Sequence, residues 1–111
     1  MSSVKKGFII KKQEEFNKII KTGKFIKSSS IVLYYLPSDD SKIYFGIAVS
    51  KKLGNAVIRN KTKRIMRSII HNNQKSFKNN YKYIIMMRRD CLNNSYKNIE
   101  QELLDILGKV N

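Results

Sequence analysis

Between Lys51 and Arg67 the chain reads Lys-Lys-Leu-Gly-Asn-Ala-Val-Ile-Arg-Asn-Lys-Thr-Lys-Arg-Ile-Met-Arg, with seven basic residues and no acid. Arginine forks pair bidentately with phosphate oxygens, and lysine adds point charge. Asn60 offers both a donor and an acceptor, so it can read a base edge or a 2′-hydroxyl. At helical spacing these residues sort by face. With Ile58 set at zero, Ile65 and Ile69 fall within about 20° of it and Met66 about 80° away. Arg59, Asn60, Lys63, Arg64 and Arg67 then span about 100° to 240°, the opposite side. The spacing therefore predicts one face anchored in a core through Ile58, Ile65 and Ile69, and the other presenting cations. A merely solvated lysine-rich face interleaves glutamate for i, i+4 pairing, and none is present here. Gly54 allows a sharp turn into the helix, whose first amides add an anion site. Lys51 and Lys52 leave the preceding strand beside that turn. Strand end, turn and helix converge on one polyanion.

Other residue types that often carry chemistry are sparse. His71 is the only histidine and Cys91 the only cysteine, which excludes an intramolecular disulfide, a zinc knuckle and a paired-histidine nuclease site. His71 falls near a helix end and reads as a surface or dipole partner. Cys91 reads as a free thiol in a loop. Asp39 and Asp40 sit in a turn, where aspartate is favoured for local hydrogen bonds. Met86 and Met87 read as strand packing. A protein-only metal nuclease needs clustered carboxylates to hold two ions, and the sequence offers adjacent pairs at most. No catalytic residue and no metal ligand is assigned. The chain itself is expected to perform no bond chemistry.

The elements that must position the basic array follow from pattern. A first helix is predicted over 13–22, with Phe16, Ile19 and Ile20 on one face, glutamates in its first turn and lysines in its last. Gly23 is suited to a left-handed position after it. Phe25 to Lys27 reads as a short leading strand. Two β-branched and aromatic runs, Ile31 to Leu36 and Ile43 to Ser50, read as a hairpin around the turn residues 37–42. In the second run Ile43, Phe45, Ile47 and Val49 alternate with Tyr44, Gly46, Ala48 and Ser50. The first set is core, and the second, bare of bulk after Tyr44, leaves room for a groove. A long helix runs from Asn55 as N-cap to about Asn72, a strand covers Tyr81 to Met87, and Asn93, Asn94 or Ser95 caps a last helix. Ile99, Leu103, Ile106 and Val110 form its apolar stripe. The fold class is α+β, a single mostly antiparallel sheet packed with helices, in the order helix, three strands, helix, strand, helix.

Composition agrees with the array. The chain has 111 residues, enough for one domain over 1–111, and a formal net charge of +15. Residues 1–80 hold 18 basic and 4 acidic residues, whereas 81–111 hold 5 and 4. The binding surface is expected before residue 81. So large an excess of one sign calls for a polyanionic partner. No apolar run approaches the roughly 18 residues of a membrane span, and residues 1–6 lack the apolar stretch of a secretory leader. A cytoplasmic protein with no membrane partner is expected. A small ribosomal protein is the alternative of a structural kind. A helix-turn-helix DNA reader is disfavoured because a strand, not a short helix, precedes the basic helix.

Ala48-Val49-Ser50-Lys51-Lys52, Gly54-Asn55-Ala56-Val57, Arg59-Asn60-Lys61, Lys63-Arg64 and Arg67 together resemble, without a gap, the signature of the bacterial ribonuclease P protein component. Lys11-Lys12 with Glu15-Phe16, then Ile31-Val32-Leu33-Tyr34, then Ile84-Ile85 with Arg88 extend the resemblance over nearly the whole chain. The resemblance implies a left-handed β-α-β crossover, against the usual hand. It also implies binding to ribonuclease P RNA and help in removing the 5′ leader of precursor tRNA, with Mg²⁺ at the RNA active site. A monomer in a one-to-one ribonucleoprotein is expected. By resemblance, Lys51, Lys52, Arg59, Asn60, Lys61, Lys63, Arg64 and Arg67 contact the catalytic RNA. Phe16, Val32 and Tyr34 line a leader cleft between the basic helix and the sheet. From the residues alone, Tyr34 reads equally as a sheet-surface aromatic, and Phe16 first as core; hairpin register is open. The sequence departs from the family pattern at Lys61, Ile20, Ile9, Ser29 and Ala48, each of which puts a single contact in doubt.

Overall fold

The computed structural model describes residues 8–10, 12–39, 42–78 and 80–110. Lys11 and Asp40 lie outside the described residues, as does the side chain of Ile9. The elements are β1 (Phe8–Ile9), α1 (Gln13–Thr22), β2 (Lys24–Lys27), β3 (Ile31–Pro37), β4 (Tyr44–Val49), α2 (Ala56–Asn72), β5 (Tyr81–Met87) and α3 (Tyr96–Leu107). Single 3-10 turns at Lys51–Leu53, Gln74–Ser76 and Arg89–Asn93 join them. The helices and the four main strands follow the pattern reading, and β1 is an addition to it.

The five strands form one sheet in the order β1-β4-β5-β3-β2. The expected hairpin is replaced by an insertion: β3 pairs antiparallel with β5, and β4 pairs parallel with the other edge of β5. The cause lies in β5 itself. Tyr83, Ile84 and Ile85 are all fully buried, so both faces of this strand are apolar and it belongs at the centre. Antiparallel pairs, β2 with β3 and β3 with β5, make up the longer share of the ladder. The parallel β4-α2-β5 unit is the crossover.

Each face of the sheet carries a cluster. On one, Ile31, Leu33, Tyr35, Phe45, Tyr83, Ile85 and Met87 pack with Met66, Ile69 and Ile70 of α2 and with Ile99, Leu103, Ile106 and Val110 beyond the start of α3. Full burial of such side chains contributes about 1.5–3 kcal/mol each. The Tyr83 hydroxyl accepts from the Lys78 amide at 3.0 Å; burial chiefly pushes this phenol up to about 12. On the other face Ile10, Ile19 and Ile84 are buried, with Phe16, Ile20, Tyr34, Leu36 and Tyr44 packed around them. Helix α1 therefore covers the face opposite to α2 and α3.

Two local expectations change. Gly23 is extended (φ −80°, ψ 169°) rather than left-handed. Glycine is needed there for close approach: a Cβ would lie 2.6 Å from the Ile19 carbonyl oxygen and 2.7 Å from that of Tyr35. In α2 the buried positions are Thr62, Met66, Ile69 and Ile70, so the core face is rotated from the one centred on Ile58. Ile58 is 37% exposed. It sits at an apolar recess of about 360 Å³ that Ile65, Leu92, Tyr96 and Ile99 also line.

Candidate nucleic-acid interface

The basic array begins where β4 ends. Ser50 accepts from the Lys52 amide at 3.1 Å and caps the 3-10 turn that holds Lys51 and Lys52. Both lysines are exposed. Gly54 follows with φ +152°, in the region that disfavours a side chain, and a Cβ there would lie 2.8 Å from Ile58 Cδ1. Asn55 then caps α2, its Oδ1 accepting from the Ile58 amide at 3.0 Å. The helix runs without glycine or proline to Asn72. At its end the Asn73 side chain donates to the Ile69 carbonyl at 2.8 Å and to Glu100 at 2.7 Å. The cationic face is thus held at both ends and along the core side.

Asn60, Lys61, Arg64 and Arg67 are exposed, and Arg59 and Lys63 half-buried. Among the described residues the recorded ion pair joins Lys82 to Glu15 at 3.0 Å, and no α2 cation has an acidic partner. Arg59 is distinctive: its Nε is buried and lacks a hydrogen-bond partner within the chain. A buried guanidinium donor with no acceptor is unfavourable on its own.

A second surface lies on the α1 side. Phe25 pairs with Tyr34, and both Tyr34 and Gly46 pair with Ile84, so these four share one row and one face. Lys27, Val32, Met86 and Ala48 make the next row. The Phe16 ring fits over Gly46: a Cβ on Gly46 would fall 2.7 Å from Phe16 Cζ. Phe16 and Tyr34 are half-buried, and Val32 is almost covered. Lys82 bridges to Glu15 and lies 5.7 Å from the centre of the Tyr44 ring. Phe16, Val32 and Tyr34 are therefore brought to one surface, flanked by α1. Helix α2 lies across the other face, so a cleft between basic helix and sheet is not where they meet. The correction follows from register, which puts Tyr34 and Gly46 on the face opposite Phe45 and Tyr83.

The two surfaces meet at one end of the sheet. Lys27 ends β2, Lys51 and Lys52 follow β4, and Arg88 and Arg89 follow β5, which runs parallel to β4. Arg88 is fixed there, its Nη1 donating to the Ser28 carbonyl at 2.7 Å and its amide to the Ser30 carbonyl at 2.8 Å. Lys27, Arg88 and Arg89 are not assigned as contacts from the sequence; the topology sets them at the same end of the sheet as Lys51 and Lys52. The turn they border is held by Glu102 of α3, which accepts from the Ser28, Ser29 and Ser30 hydroxyls, the Ser30 amide and the Asn94 amide group. Partial burial raises the Glu102 carboxyl, but these donors outweigh it and hold the group below its ordinary range. Ser29, a departure from the basic residue expected by resemblance, is thus tied to Glu102.

Among the described residues no three of His, Cys, Asp and Glu group to hold a metal ion, and no helix is long and apolar enough to cross a membrane. Cys91 is buried, and burial pushes its thiol up. His71 is exposed.

Comparison with known proteins bears on the sequence and the fold as a whole. The family model described as Ribonuclease P matches residues 4–111. The ribonuclease P protein component of Mycoplasma mycoides is 37% identical over 103 residues, covering 92% of this chain and 94% of that protein. That of Streptococcus pneumoniae is 35% identical, covering 94% and 85%. The solved structure of the Staphylococcus aureus RNase P protein superposes with a TM-score of 0.82 at 31% identity, covering 93% of this chain and 94% of that one.

Proposed function

The chain belongs to the ribonuclease P protein family, and from that membership we propose that its two surfaces hold two RNAs at once. As a component of a ribonucleoprotein endoribonuclease it partners ribonuclease P RNA, and a purely ribosomal role is not favoured. The α2 face binds that RNA through Lys51, Lys52, Arg59, Asn60, Lys61, Lys63, Arg64 and Arg67. The observation that supports this most is the run of seven cations and no acid from Lys51 to Arg67, none of them ion-paired among the described residues. The sheet face of Phe16, Val32 and Tyr34 takes the single-stranded 5′ leader of precursor tRNA, where aromatic platforms and a positive rim suit unpaired bases. The 111 residues act as one RNA-binding domain, in a one-to-one complex in the cytoplasm.

No side chain of the protein takes part in bond breaking. The RNA carries the reaction with Mg²⁺ at its own active site. The protein neutralises phosphate repulsion between two polyanions and grips the leader, so fewer free Mg²⁺ ions are needed for the same encounter. The test measures two affinities for two variants. Arg64→Ala should weaken catalytic-RNA binding several-fold. Tyr34→Ala should instead reduce affinity for leader-bearing precursor tRNA by fivefold or more, about one stacked base, and spare leaderless tRNA. Equal effects of both variants on both RNAs would contradict two separate surfaces.

A further inference from the structure

Phe25 stands out on the α1 side of the sheet. It is a large aromatic on the edge strand β2, and 57% of it is exposed. It lies directly opposite Tyr34, ring centres 5.8 Å apart and tilted by 41°. Lys27, two residues on and therefore on the same face, is exposed as well. From Phe16 to Ser38 the sequence has four lysines and no acid. An exposed ring on an open sheet edge is costly in water and invites strand addition. A ring that continues an aromatic row, with a cation beside it and no acid in its own stretch of chain, has the composition of a single-strand binding track.

We propose that Phe25 is a base-stacking residue that carries the single-strand surface past Tyr34 and over the edge of β2, with Lys27 meeting the adjoining phosphate. The ligand is one further unpaired nucleotide, read by its π-face and charge with no preference among bases. This extends the leader reading and rests on it. A track from Phe16 and Tyr34 outward to Phe25 makes affinity depend on leader length, because a short leader ends before β2.

The experiment measures equilibrium binding of precursor tRNAs with successively longer leaders to the assembled ribonucleoprotein. The proteins compared are the unaltered chain, Phe25→Ala, Phe25→Tyr and Tyr34→Ala. Phe25→Ala should lose fivefold or more in affinity for long leaders only, as expected for one stacked base, while Phe25→Tyr retains it. Thermal melting of the free protein should be nearly unchanged, because the ring is mostly in water. A loss with Tyr34→Ala but none with Phe25→Ala would overturn the Phe25 assignment alone. No loss with either would overturn the leader reading itself. A loss from Phe25→Ala that is equal for all leader lengths, or that follows a lowered melting temperature, would make Phe25 a cross-strand packing partner of Tyr34 instead.

Discussion

Arg59 and Gly46 show how single residues set the two surfaces. Arg59 is held half inside the fold with one guanidinium nitrogen unsatisfied. A lysine there would keep the charge but not the fork. Gly46 works by absence. With its hydrogen in place of a side chain, Phe16 settles onto the strand and stays level with Tyr34. Gly46→Ala puts a methyl 2.7 Å from the ring edge, so the ring must tilt or α1 must lift. Leader-dependent affinity should fall several-fold in Gly46→Ala. Adding Phe16→Ala should cost little more, because the ring is already displaced. Additive losses in the double variant, measured as a cycle of binding affinities, would mean that the two residues act separately.

At the level of elements, the turn between β2 and β3 hangs on one carboxylate of α3. The donors around Glu102 lower its pKa, so it stabilises the fold most when ionised. That contribution is present above the ordinary carboxylate range and is lost as pH falls through the lowered value. Glu102→Gln should cost roughly 1–2 kcal/mol at neutral pH, the low end for charged hydrogen bonds because the group is partly exposed. The variant should also lose less further stability than the parent between neutral and acid pH. Parallel stability–pH curves in chemical denaturation would refute this. None of it was legible in the sequence, since Ser28–Ser30 and Glu102 lie more than seventy residues apart. The start of α2 was legible because Asn55 caps it, and its length because no glycine or proline interrupts it before Asn72. The β3–β4 hairpin misread a connection long enough to span either one strand spacing or two. At about 3.3 Å per residue, the stretch between the strands covers the roughly 10 Å across an inserted β5 with ease. The two-sided apolar run of β5 was the sign of its central place. The position of Ile58 was misjudged for a related reason: a helical wheel ranks faces but does not say which turns overhang the sheet.

For the whole molecule, charge and topology act together. Of the 23 basic residues behind the formal charge of +15, ten lie on α2 and at the strand ends that align at one side of the sheet, between the two faces. That distribution suits a small protein set between two RNAs, each too negative to approach the other without counterions. The most direct measurement is 5′-end cleavage of a leader-bearing precursor tRNA by a bacterial ribonuclease P RNA at low Mg²⁺, with and without the protein. Cleavage at the mature 5′ end that appears only when the protein is added is the predicted result. Absence of rescue while the protein still binds that RNA, or cleavage by the protein with no RNA subunit present, would contradict the account.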